Sequence, residues 1–155
     1  MSTIEPRRGP GHFQWNAGGW FGSLIGCTCW MLLGAMFLGM KDGLVGWTWA
    51  GCFAVGMATG IGLWSARDRL LPYPAMQTLL LVLLACSFTA FLVADLRNLL
   101  VPLAQGAMQN PRFVYISLLV FPSMMLRFYF YERIAQQQKQ ASDKKEEGTS
   151  TASVS

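Results

Sequence analysis

Residues 19–40 read GWFGSLIGCTCWMLLGAMFLGM, without a single charged side chain. A hydrocarbon core about 30 Å thick is crossed by roughly 20 apolar residues in helical form. This one stretch therefore has the length and composition of a membrane span. Working outward, three more stretches of similar character follow, at about 44–64, 75–94 and 113–131. The separators are helix breakers. Lys41-Asp42-Gly43 is a tight charged hairpin. Arg67-Asp68-Arg69 with Pro72 and Pro74 reads as a charged, helix-ending loop, and Pro102, Gly106 and Asn110-Pro111 break the third connection. Lipid offers backbone groups no partners, so the four segments should be helices. Runs such as Leu79-Leu80-Leu81-Val82-Leu83-Leu84 lack the alternation a barrel strand needs.

Composition supports the same fold class. The chain has 155 residues, of which 13% are charged, about half the roughly 25% of an average soluble domain. Only nine charged residues fall within 18–131, and the other eleven sit in the two ends. A middle so poor in charge could not cover a water-facing surface. An ordinary cytosolic enzyme, a disordered protein and a nucleic-acid-binding domain are all excluded on this ground. The expectation is an all-α integral membrane protein, a bundle of four transmembrane helices in one domain (18–131). An N-terminal cytoplasmic or interfacial segment (1–17) precedes it. A cytoplasmic tail (132–155), rich in Gln, mixed charge, Ser and Thr, reads as disordered.

Lysine and arginine set the orientation. With the N-terminus inside, Arg7, Arg8, Arg67, Arg69, Arg127, Arg133, Lys139, Lys144 and Lys145 lie on or near the cytoplasmic side, against Lys41, Arg97 and Arg112 outside. Both termini are therefore expected in the cytoplasm, and the location is a cell membrane of the bacterial inner-membrane type. Trp20 and Trp64 fall at inner span ends, and Trp47 and Trp49 at an outer end, where indole prefers to sit. Trp30 falls mid-span and is expected to face another helix. Leu24-Ile25-Gly26-Cys27 resembles the lipobox of bacterial lipoproteins. The polar residues before it make a poor signal-peptide core, however, and strong hydrophobicity continues after the cysteine. A retained first helix is the reading.

Glycine marks the first two spans. Gly18, Gly22 and Gly26 recur every four residues and share one helix face, and Gly56 and Gly60 do the same in the second span, with Gly51 and Gly62 nearby. Small residues at this spacing let helix backbones approach closely in lipid. They pack the two spans as a hairpin, join one chain to another, or line a narrow path or a bound cofactor. Pro122, near the centre of the fourth span, predicts a kink, because it removes a donor and crowds the carbonyl of Leu118.

Chemistry is sparse. Asp95, Arg97 and Arg112 cluster at an outer surface, where Arg112 is placed to pair with Asp95, and Arg127 is placed to snorkel to the cytoplasmic headgroups. These are weak polar-site candidates. No carboxylate falls at mid-membrane, as a proton or ion relay would want. Cys27 and Cys29 are two apart on a helix and point away from each other. His12 is the single histidine and lies outside the spans. Catalytic, cofactor-binding and metal-ligating sets are therefore not expected. The segment 11–22, with Trp15, Asn16, Trp20 and Phe21, reads as a headgroup-level cap or a recognition element. The function this predicts is a non-enzymatic membrane subunit or self-associating protein packed through its glycine faces. Its partners are the lipid bilayer and a homo-oligomer or membrane partner, with no nucleic acid. The alternative is a small oligomeric transporter or channel beside Pro122 and the 51–62 face.

Overall fold

In the computed structural model the described residues are 15–100 and 111–152, with side chains described over 15–100 and 115–141. The first helix, α1 (Ala17–Gly39), starts where Asn16 caps it, its side chain accepting from the Gly19 N–H at 3.2 Å. The 41–43 turn then reverses the chain. Asp42 caps α2 (Gly43–Ser65), accepting from the Leu44 and Val45 N–H groups.

The third helix, α3 (Pro72–Leu96), begins earlier than the sequence suggests. Pro72 and Pro74 lie in its first turn and not in the preceding loop. Proline is at home there, because first-turn N–H groups have no helical partner to lose. Asn98 ends this helix with φ 57°, the left-handed conformation that Asn tolerates. The Leu99 N–H reaches the Ala94 carbonyl at 2.9 Å and the Asn98 N–H reaches that of Asp95 at 2.8 Å. This is a Schellman closure.

The fourth apolar stretch is not one uniform helix. It begins as a 3₁₀ helix (Pro111–Leu119) and continues as α4 (Val120–Ala152). Nine residues is long for 3₁₀ geometry, which rarely runs past three or four. The switch to α geometry comes two residues before Pro122, the residue that deprives Leu118 of its α-helical donor. Upstream, Ile116 is β-branched and stiff in a helix. At its other end α4 runs on through the polar tail, where the sequence alone predicts disorder. Residues 133–147 are rich in Gln, Lys, Glu and Ala, which carry little helical cost, and Gln136 bonds Glu132 one turn back at 3.3 Å.

Among the described residues three helices, α1, α2 and α3, are long and apolar enough to cross a membrane. Contact is most extensive between α1 and α2, then between α2 and α3; the fourth segment packs on α3. Among the described residues, α1 and α4 nowhere bring their backbones close. The chain runs up and down in turn. Trp20 near the start of α1 donates to the Gly60 carbonyl near the end of α2 at 3.0 Å. Gln77 near the start of α3 donates to the Met125 carbonyl of α4 at 3.1 Å. At the opposite end, the Tyr115 hydroxyl meets Asp95 at 3.3 Å. The segment from Tyr115 to Met125 thus runs antiparallel to α3 along most of its length.

Candidate functional site

The glycines divide into two sets that do not face each other. Gly56 and Gly60 are buried inside the molecule. A Cβ added at Gly60 would lie 2.5 Å from Leu24 Cδ1, and one at Gly56 would lie 2.8 Å from Leu83 Cδ2 and 3.3 Å from Thr28 Cγ2. Leu24 and Thr28 therefore fill the hollows that α2 leaves, and Leu83 enters from α3. Thr28 is fully buried, and its hydroxyl is satisfied by the Leu24 carbonyl at 2.8 Å. The opposing set behaves differently. Nothing lies within 4 Å of a Cβ built on Gly22 or Gly26, and Gly18 meets only the Asn16 cap at 3.5 Å. All three are exposed. Gly51 and Gly62 also face open space, so the 51–62 glycines do not form one lining.

Other small residues also carry the hairpin. A Cβ on Gly46 would sit 2.5 Å from the Gly39 Cα, so the backbones of α1 and α2 nearly touch beside the turn. A Cβ on Gly34 would overlap the Trp49 ring. The signal for Gly39 and Gly46 was present in the sequence: they stand almost equally far from the 41–43 turn, where an antiparallel hairpin places partners opposite.

The open face of α1 extends beyond its glycines. Gly18, Gly22, Ile25, Cys29, Leu32 and Met36 are all exposed and recur at alternating steps of four and three, a stripe along one side of the helix. Gly18, Gly22 and Cys29 are its small members, and Ile25, Leu32 and Met36 its bulky ones. Cys29 lies two turns after Gly22 on the same stripe.

The tryptophans mostly turn inward. Trp47 is 81% exposed, as an interfacial residue would be, but Trp49 is 3% exposed and donates to the Ala90 carbonyl at 3.0 Å. Trp30 packs with Trp49 and Phe91, ring centroids 5.4 Å apart in each case. Trp15, Trp20 and Phe21 gather around Trp64, and the Arg67 guanidinium lies over the Trp64 ring at 4.9 Å from its centroid. The 15–22 part of the aromatic segment is thus a clasp between α1 and the α2 end, tied further by the Trp15 indole to the Leu70 carbonyl at 3.2 Å. Residues 11–14 lie outside the described residues.

The polar candidates scatter. Asp95 accepts from Tyr115, and Arg97 at the end of α3 pairs with Asp42 of the 41–43 turn at 3.7 Å. Arg112's side chain lies outside those described. Arg127 reaches Tyr131, hydroxyl at 3.4 Å and ring centroid at 5.5 Å. Pro122 and the glycines of α2 are not brought together, since α2 and α4 have no close backbone approach among the described residues. Cys52 of α2 and Cys86 of α3 are neighbours, and all four cysteines are free thiols. Among the described residues, no three of His, Cys, Asp and Glu gather as a metal site.

Between α1 and the fourth segment lies an apolar hollow of about 420 Å³, walled by Gly26, Cys27 and Trp30 on one side and Leu118, Phe121 and Met124 on the other, with Phe91 of α3 beneath.

No protein-family model, curated protein or solved structure matches this chain.

Proposed function

We propose that this chain is a non-enzymatic, multi-pass membrane protein that associates with copies of itself through the open face of α1. The observation that carries the reading is the contrast at the glycines. Gly56 and Gly60 are consumed by packing inside the chain, while a Cβ on Gly22 or Gly26 would meet nothing within 4 Å. In lipid, helix association relies on close van der Waals fit, because lipid tails are as apolar as the helices. A stripe of small residues that no other part of the chain covers suits a second backbone.

The same reading gives the chain four crossings of a cell membrane, with both termini in the cytoplasm. The fourth crossing is supported by the antiparallel run of Tyr115 to Met125 along α3. Splitting of this stretch between 3₁₀ and α geometry explains why α4 alone does not carry a full apolar span. The lysine and arginine asymmetry supports the orientation.

The test is Gly22→Ile with Gly26→Ile in the purified full-length protein. The double variant is expected to run as a monomer where the native protein runs as an oligomer. An unchanged monomer–oligomer ratio would refute self-association through this face.

A further inference from the structure

Two cysteines face each other across the seam between α2 and α3. The Trp49 indole donates to the Ala90 carbonyl at 3.0 Å, and a Cβ on Gly56 would lie 2.8 Å from Leu83 Cδ2. These two contacts fix the antiparallel register of the helices. Trp49, Cys52 and Gly56 are spaced by three and four residues and share one face of α2. Leu83, Cys86 and Ala90 share one face of α3 in the same way. Cys52 and Cys86 are thus the matched pair between the two contacts, and their side chains hydrogen-bond to each other. Cys52 is buried and Cys86 half-buried.

The other two cysteines have no such arrangement. Cys27 and Cys29 stand two apart on α1 and point away from each other. Cys27 lines the hollow beside the fourth segment, and Cys29 lies on the exposed stripe. A structural zinc site takes four ligands, and among the described residues no third His, Cys, Asp or Glu joins Cys52 and Cys86. Two facing thiols suit a disulfide, whose Cβ atoms stand roughly 3.5–4.5 Å apart. The pair falls near the middle of both apolar helices. Charged molecules are costly to bring to that depth, so the oxidant must dissolve in lipid.

From this juxtaposition we propose that Cys52 and Cys86 form a reversible disulfide that locks α2 to α3, with a lipid-soluble quinone as oxidant. Each thiol gives up its hydrogen, and a bond forms between the two Sγ atoms. The quinone takes up the two protons and two electrons and leaves as the quinol. Contact between α1 and α3 is slight, and the fourth segment packs on α3. The α2–α3 seam therefore joins the two halves of the chain. A disulfide closing the loop 52–86 restrains their separation on unfolding. The inference rests on the bilayer location and is independent of self-association through α1.

The experiment uses full-length Cys29→Ala protein in phosphatidylcholine liposomes, which removes the exposed thiol and leaves three of the four cysteines. Tetramethylbenzoquinone is the probe, because its fully substituted ring blocks thiol addition. Free thiols are then counted by maleimide labelling in denaturant, and mass spectrometry of the non-reduced digest locates the link. The count should fall from three to one, with Cys52 joined to Cys86, and the midpoint of thermal unfolding should rise. Dithiothreitol should reverse both changes. Adding Cys86→Ala should leave the remaining thiols and the midpoint unmoved by the quinone. Glutathione disulfide outside the liposomes should leave the count at three. A count that the quinone does not lower, a link through Cys27, a midpoint that the link leaves unchanged, or equal oxidation by glutathione disulfide would each overturn the inference.

Discussion

Two glycine faces with the same four-residue spacing have opposite fates in this molecule. On α2, Gly56 and Gly60 receive Leu24, Thr28 and Leu83, and a methyl group at either position has no room. On α1, Gly22 and Gly26 are exposed, Gly26 at the edge of the hollow beside the fourth segment, and a methyl group at either meets nothing within 4 Å. Spacing alone does not distinguish them. What separates them is whether the neighbouring helix offers a large side chain at the matching height. The difference teaches that a small-residue stripe in a membrane helix is a licence for close approach, and that only the partner's residues decide who approaches.

The sharpest way to break the comparison is to overfill the inner set. Gly60→Ile should collide with Leu24, and Gly34→Ala with the Trp49 ring, which its bond to Ala90 holds in place. Overpacking of this kind costs about 1–3 kcal/mol or more. Both variants should lower the midpoint of thermal unfolding followed by tryptophan emission, whereas Gly22→Ala should leave it where it was. A fall in Gly22→Ala as large as in Gly34→Ala would erase the distinction.

A smaller effect is expected from the indoles that flank the hairpin. Trp49→Phe removes a buried hydrogen bond, worth about 1 kcal/mol, and leaves a void beside Gly34. Trp47→Phe alters a residue already 81% exposed. Thermal unfolding should register the first and not the second.

The smallest effect belongs to the 41–43 turn. Asp42 joins Arg97 in an ion pair at 3.7 Å whose arginine is half exposed. Such pairs contribute about 0–1 kcal/mol, so Arg97→Gln should change stability marginally. Asp42→Ala also removes the α2 cap, worth about 1 kcal/mol, and should cost visibly more. Equal losses in the two variants would mean that the cap contributes nothing.

Much of this architecture was legible in the sequence, because the length and apolar character of the spans are coarse signals. The 41–43 turn marks where α1 gives way to α2, and Asp42 is a recognisable cap. The start of α3 was misplaced because Pro72 and Pro74 read equally as loop residues and as a first turn. The 3₁₀ stretch before Pro122 was not legible, since no periodicity separates it from α-helix over nine residues. Trp49 was hidden for a different reason. A tryptophan near a span end satisfies either the interface or the core, and only the space left by Gly34 decides between them. The tail helix was missed because polar composition argues against burial without arguing against local helical order.

The site was less legible than the fold. The sequence named both glycine faces but could not say which lay inside, since that depends on Leu24 and Leu83 reaching α2. It also passed over the hollow between α1 and the fourth segment, to which Phe91 of α3 contributes.

The most direct test of the central claim uses a thiol the protein already carries. Cys29 is exposed on the Gly22 stripe, whereas Cys27 turns toward the hollow and Cys52 is buried. Mild oxidation in membranes should yield a disulfide-linked dimer that disappears in Cys29→Ala, disappears in Gly22→Ile with Gly26→Ile, and persists in Cys27→Ala. A dimer that requires Cys27, one that survives the glycine substitutions, or the lack of any dimer would contradict the assignment of α1's open face to a second copy.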